Sequence, residues 1–194
     1  MLKFIYLPFL MILISCSTNE TLVNYNQNPE EVTNLGGSWE YIAKLNGQQD
    51  LNEAINRIIG PNNKRNIFSS SANQQNKRNS DYVAHLFLRD ANRIKITQTR
   101  YALYIDFNRS IVEEYKNNRI ETIELGEIKA QRSSGWQNGY YLIDTLDDRG
   151  MKITETYSLV NQNKNLQRKI IIRDKDENCL LYTSDAADEG LGVD

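Results

Sequence analysis

From Arg93 onward the sequence takes on period two. Apolar and polar residues alternate through 93–99, 102–107, 111–116, 119–125, 127–132, 140–146, 152–160 and 166–173, with only short breaks between segments. A strand points successive side chains to opposite faces, so each segment offers one apolar face to a core and one polar face to water. The breaks carry turn chemistry. Asn117-Asn118 and Asn138-Gly139 suit the positive φ angles of tight hairpins, and 147–150 and 161–165 supply further turns. Residues 38–44, Ser-Trp-Glu-Tyr-Ile-Ala-Lys, read as an earlier strand entered through Gly36-Gly37. Sequential strands joined by tight turns form an antiparallel meander. Such a sheet leaves two open edges unless it curls, so a barrel or half-barrel is expected.

Between the first strand and the rest lie two helical patterns. In 50–59, Leu51, Ile55, Ile58 and Ile59 share one face, Asp50 can cap the start, and Gly60-Pro61 ends the run. Residues 81–91 form the second, with Tyr82, Val83, Leu86 and Phe87. The stretch 61–80 is polar and reads as a loop. The expected class is therefore mainly β with one or two short helices.

The N-terminus sets an address. Lys3 precedes an apolar run over 4–14 that is too short to cross a bilayer, which takes about 20 residues. It has the length of a signal-peptide core. The run ends in Leu13-Ile14-Ser15-Cys16, which resembles the lipobox of bacterial lipoproteins: an aliphatic residue, a tolerant position, a small residue, then the Cys. The resemblance implies that residues 1–15 are removed and that Cys16 carries the lipid, which includes a palmitate-type acyl chain. Two or more chains give stable membrane attachment. Ser17, in place of an inner-membrane-retaining Asp, implies the outer membrane, on its periplasmic face. Residues 16–35 are polar and read as a flexible tether.

The C-terminus reads as foreign. Residues 179–189, Cys-Leu-Leu-Tyr-Thr-Ser-Asp-Ala-Ala-Asp-Glu, resemble the translation of a transposase-type sequencing-library adapter, and Gly192-Val193-Asp194 fit its continuation. The β-rich domain is then 36–178, truncated at its C-terminal end. Residues 179–194 are expected not to pack, apart from a short extension of the last strand over 179–183. An unpaired edge should remain beside the first or the last strand.

The whole chain has 23 basic and 25 acidic residues. Without Lys3 and the tail acids Asp185, Asp188, Glu189 and Asp194, 22 basic and 21 acidic residues remain. That balance offers no field for nucleic acid. With Cys16 acylated and Cys179 in the tail, no disulfide is expected.

Two resemblances bear on the domain. Gly37-Ser38-Trp39 at the head of a meander is similar to the Gly-x-Trp opening of lipocalin-like barrels. More closely, Gly37-Ser38-Trp39-Glu40, the helix 50–59, the loop 61–80 and Gly135-Trp136-Gln137-Asn138-Gly139 resemble an uncharacterised family of gammaproteobacterial envelope proteins. Here one extra residue separates Trp136 from Gly139. This resemblance implies a fold and an address, and no reaction.

No catalytic constellation emerges. His85 is the only histidine and has no clustered ligands around it. Asp174-Lys175-Asp176-Glu177-Asn178 begins like a calcium loop, but the sixth and twelfth positions hold Cys179 and Asp185 where Gly and Glu are needed. Glu113-Glu114 and Asp147-Asp148 are strand neighbours on opposite faces and make no dyad, so they read as solvated charge. Lys64-Arg65 and Lys77-Arg78 make the loop 61–80 basic, without interleaved aromatics. No cofactor or metal is expected. The expected function is a non-enzymatic binding or structural role at the outer membrane. The alternative is a lipocalin-like carrier of a small apolar ligand or lipid, its cavity lined by Trp39, Tyr104, Phe107, Trp136 and Tyr141.

Overall fold

The computed structural model describes residues 20–25, 32–41, 87–126, 128–173 and 179–188. Cys16, the helix expected at 50–59, the loop 61–80, His85, most of 81–91 and the stretch 174–178 lie outside the described residues. The described chain is almost entirely strand: β1 (Gly37–Tyr41), β2 (Arg93–Gln98), β3 (Ala102–Phe107), β4 (Ile111–Lys116), β5 (Arg119–Leu125), β6 (Ile128–Gln137), β7 (Tyr140–Asp147), β8 (Lys152–Val160), β9 (Asn165–Arg173) and β10 (Cys179–Asp188). They form one antiparallel sheet in the order β4-β3-β2-β1-β10-β9-β8-β7-β6-β5. The sheet curls into a nearly closed barrel whose seam lies between β4 and β5.

Period-two alternation explains the barrel. On β9, Leu166, Arg168, Ile170 and Ile172 are buried, while Gln167, Lys169 and Ile171 are only partly covered. β8 turns Ile153, Glu155 and Tyr157 inward in the same way. The turns follow their residues: Asn138 and Gly139 have φ of 52° and 79°, the left-handed pair a tight hairpin requires.

Three sequence expectations change. First, the strand goes on past the extension expected over 179–183 and pairs through to Asp188. β10 pairs with β9 from Cys179 to Ala187 and with β1 through Trp39↔Asp188, Glu40↔Ala187 and Tyr41↔Ala186. It fills the edge expected to stay open, because both flanking strands present unpaired N–H and C=O groups to it. Ser184 and Ala186 are buried on its inner face.

Second, Asn117-Asn118 does not close a ladder. Asn118 takes its left-handed φ of 58°, but β4 pairs with β3 and β5 with β6, so this bend carries the chain across the seam. There Asn117 bridges to Ser134, the Asn118 N–H donates to the Ser134 carbonyl at 3.0 Å, and the Ser134 hydroxyl donates to the Lys116 carbonyl at 2.8 Å.

Third, part of the tether docks. Tyr25 and Leu35 are buried, and residues 20–25 run over the outer face of β6 and β7. β6 also continues through Gly135-Trp136 to the turn, further than its alternation predicts. Ser133 and Gly135 face outward beneath that docked segment.

Candidate functional site

Two apolar clusters fill the barrel. One gathers Trp39, Ile96, Leu103, Phe107, Tyr115, Trp136, Tyr141, Tyr157 and Leu166, among others. The second includes Phe87, Leu88, Ile128, Ile153, Ile170 and Ile172. Of the five residues expected to line a cavity, Trp39, Phe107, Trp136 and Tyr141 join the first cluster and are buried. The Trp136 and Tyr141 rings meet edge to face, centroids 5.2 Å apart. The Trp39 indole N–H donates to the Leu35 carbonyl at 3.1 Å, and the Tyr141 hydroxyl donates to the Tyr115 carbonyl at 2.9 Å. Tyr104 does not join them. It sits on the outer face of β3, where its hydroxyl donates to Glu114 at 2.9 Å. Leu103 and Ile105 take the inward positions on either side.

The chemistry inside the barrel lies in a belt of charge that sequence reasoning missed. Arg168 of β9 and Glu155 of β8 make a fully buried ion pair. The guanidinium reaches Glu155 Oε2 through Nη2 at 2.6 Å and Nε at 3.0 Å, and Nη1 donates to the Arg89 carbonyl at 2.7 Å. The Tyr157 hydroxyl donates to the same Glu155 oxygen at 3.0 Å. Arg168 also stands over the rings of Phe107 and Tyr157, at 5.6 and 5.8 Å. Burial opposes the Arg168 charge, but the hydrogen-bonded Glu155 carboxylate outweighs it and holds the guanidinium protonated. Burial pushes the Tyr157 hydroxyl well above its ordinary value.

A second group crosses the seam. Glu113 of β4 accepts from Arg89 at 2.7 Å, from the Tyr115 hydroxyl at 2.9 Å and from Arg132 of β6 at 3.2 Å. Arg132 lies over the Tyr115 ring at 5.1 Å. Burial would raise the Glu113 pKa, but Arg132, with hydrogen bonds from Arg89 and Tyr115, pulls it below the ordinary carboxylate range. Glu113 and Glu114 thus face opposite ways, as expected, but Glu113 is enclosed instead of solvated. Asp147 departs similarly: it is buried and accepts from the Arg149 and Met151 N–H groups, while Asp148 is exposed. Burial raises the Asp147 pKa.

One belt atom has no partner among the described residues. The Tyr41 hydroxyl is buried and makes no hydrogen bond. Tyr41 packs against the first cluster and interacts electrostatically with Tyr157, Arg168 and Tyr182. The signal for the belt was in the sequence. Glu155 and Arg168 occupy inward positions in otherwise apolar alternations, Ile153-x-Glu155-x-Tyr157 and Leu166-x-Arg168-x-Ile170-x-Ile172. Outside the barrel, Ser38, Arg93, Lys95, Asp106 and Arg109 line a depression of about 310 Å³. Among the described residues, no group of three or more His, Cys, Asp or Glu side chains could hold a metal ion.

No family model matches the chain, and no curated protein matches it. Solved structures do. A secretory abundant heat soluble protein from Ramazzottius varieornatus superposes with a TM-score of 0.50 and 12% identity, over 80% of this chain and 95% of that one. Secretory abundant heat soluble protein 4 of the same organism gives 0.47 at 10% identity, over 79% and 93%. A luciferase domain from the dinoflagellate Lingulodinium polyedrum gives 0.48 at 7% identity, over 79% of this chain and 41% of that one. At 12% identity the likeness to the first of these is one of fold: the described residues form a ten-stranded, nearly closed antiparallel barrel of the lipocalin-like kind.

Proposed function

We propose that this chain is a lipid-anchored outer-membrane protein, attached through Cys16, whose barrel binds a small amphiphile without transforming it. The observation that carries the binding role is the partnerless Tyr41 hydroxyl in the charged belt. A buried polar group without a hydrogen bond costs about 1–3 kcal/mol. A ligand atom reaching that hydroxyl removes the cost. The described cations of the belt already have partners: Arg168 is held by Glu155, and Arg89 and Arg132 by Glu113. The ligand group suited to a single phenol hydroxyl is therefore uncharged, such as an alcohol, amide or ester carbonyl. Its apolar part would lie against the aromatic cluster. The dense packing of Trp39, Phe107, Trp136 and Tyr141 favours a second reading, a purely structural envelope barrel.

The full chain, purified from a Gram-negative envelope in mild detergent, tests both parts. Native mass spectrometry should find a neutral amphiphile bound beyond the acyl mass on Cys16. Tyr41→Phe should lose that ligand and raise the melting temperature of the empty protein, because an orphaned hydroxyl is removed. A parent carrying only its acyl groups, with no shift in melting across a panel of neutral lipids, leaves the structural reading. Cys16→Ser should leave the membrane fraction; a variant retained and processed like the parent would defeat the anchor.

A further inference from the structure

Residues 20–25 form a strap with a direction. Glu20 lies 3.7 Å from Lys152, at the start of β8, and 4.0 Å from Arg173, at the end of β9. Further on, the Val23 carbonyl accepts from the Ser133 hydroxyl at 2.6 Å. The Tyr25 ring is buried and its hydroxyl donates to Asp144 Oδ2 at 2.6 Å. Asp144 is fixed in turn by the Thr154 hydroxyl at 2.6 Å and by Lys152 at 3.4 Å. Gly135 provides the room, since a Cβ there would come 2.8 Å from Tyr25 Cβ. The strap therefore climbs the barrel wall from the end bearing the Arg109 and Arg149 turns toward the end bearing the Asn138-Gly139 and Asn161–Asn163 turns.

We propose that the bilayer holding the acyl groups of Cys16 lies against the Arg109 and Arg149 end, so that the barrel stands with the Asn138 and Asn163 turns away from the membrane. This rests on the lipid-anchor reading above. Cys16 precedes Glu20 by four residues, which span at most about 14 Å when extended. The opposite end is farther: β9 alone, nine residues at about 3.3 Å each, covers about 30 Å along the strand. With Glu20 held at one end, the short lead to Cys16 cannot bring the other end to the bilayer. The exposed Tyr101 and Tyr140, beside the far turns, then face the periplasm. At the near end, Lys129 pairs with Glu124 and Arg149 with Asp148. These two cations are thus offset by neighbouring carboxylates, and the strap is what fixes which end lies nearest Cys16.

The test uses the full acylated chain in a Cys179→Ser background, with a fluorophore on Arg149→Cys or on Asn163→Cys. Each protein is reconstituted in phosphatidylcholine vesicles carrying a headgroup quencher. The Arg149 position should be quenched severalfold more than the Asn163 position, and equally so when anionic phosphatidylglycerol is added. Gly135→Leu, or Tyr25→Ala should that variant not fold, should erase the difference while leaving acyl mass and vesicle retention unchanged. A chain lacking the acyl mass overturns the anchor and the orientation with it. An acylated chain whose two labels are quenched alike overturns the orientation alone, and a difference that survives loss of the strap contacts overturns the strap as what imposes it.

Discussion

At Arg168 two opposing effects meet. Removing a guanidinium and a carboxylate from water costs several kcal/mol per ion, and the contact of two guanidinium nitrogens with one Glu155 oxygen only offsets that loss. Deleting one partner is worse than deleting both, because it strands the other. Arg168→Met should therefore destabilise the barrel by about 3–5 kcal/mol, and Arg168→Met with Glu155→Gln should recover most of the loss. Urea unfolding of the four proteins in the cycle reads this directly. A single variant within about 1 kcal/mol of the parent, the scale of an exposed pair, would mean the pair is not enclosed as described. Residue-scale legibility was uneven for a related reason. Trp39, Phe107, Trp136 and Tyr141 were readable as interior because large aromatics at inward parity seldom face water. Tyr104 joins that expected set on its aromatic character alone. Its parity is outward, and parity decides where hydrophobicity leaves a choice. Glu155 and Arg168 were passed over although their parity was equally plain, since a charge on an apolar face looks like an interruption of the pattern and not like part of the core.

Most strands follow from period-two alternation, and their neighbours from the shortness of the turns. What alternation cannot supply is the partner of a strand at a closure. Asn117-Asn118 has hairpin chemistry, yet β4 and β5 go to different neighbours because the sheet has already closed around to bring β6 near β4. The strap was illegible because its polar composition gives no sign that Tyr25 meets a glycine-made recess on β6. β10 is the sharpest departure. Beyond a short extension over 179–183 this stretch is expected to remain unpacked, yet Tyr182, Ser184 and Ala186 share the inner face, and Ser184 and Ala186 are small enough to lie beside the large side chains of the core. If β10 closes the barrel, a chain ending at Asn178 should expose the edges of β1 and β9 together. Its melting temperature should fall by more than about 10 °C, the equivalent of about 3 kcal/mol or more for a chain of this size. It should also self-associate through those edges. A truncated chain that melts with the parent and stays monomeric would show that residues 179–188 add nothing to the fold.

The barrel as a whole is asymmetric in how it resists opening. β7, β8 and β9 each have a ladder on both sides, whereas β4 and β5 each have one, with the seam between them. Across that seam the Asn117 and Ser134 contacts hold one end. Farther down, the side chains of Glu113 on β4 and Arg132 on β6 make a bridge, with Arg89 and Tyr115 on the same carboxylate. The bridge depends on Glu113 being ionised. Its pKa in the folded barrel is lowered, so its contribution to stability is fully present above the unfolded value of about 4.3 and is lost as pH falls through the lower folded value. Hydrogen exchange should therefore be fastest in β4 and β5 even at neutral pH, because the amides facing the seam lack a ladder partner. As the pH is lowered below about 4, protection in β4 should fall before that in β8 and β9, once intrinsic exchange rates are divided out. Glu113→Gln removes the charge at every pH. It should show the loosened seam already at neutrality and lose the acid-dependent step, while β8 and β9 keep their protection. Uniform loss of protection across all ten strands on acidification, unchanged by Glu113→Gln, would mean that the barrel opens as a single unit and that the side-chain bridge does not govern its weakest line.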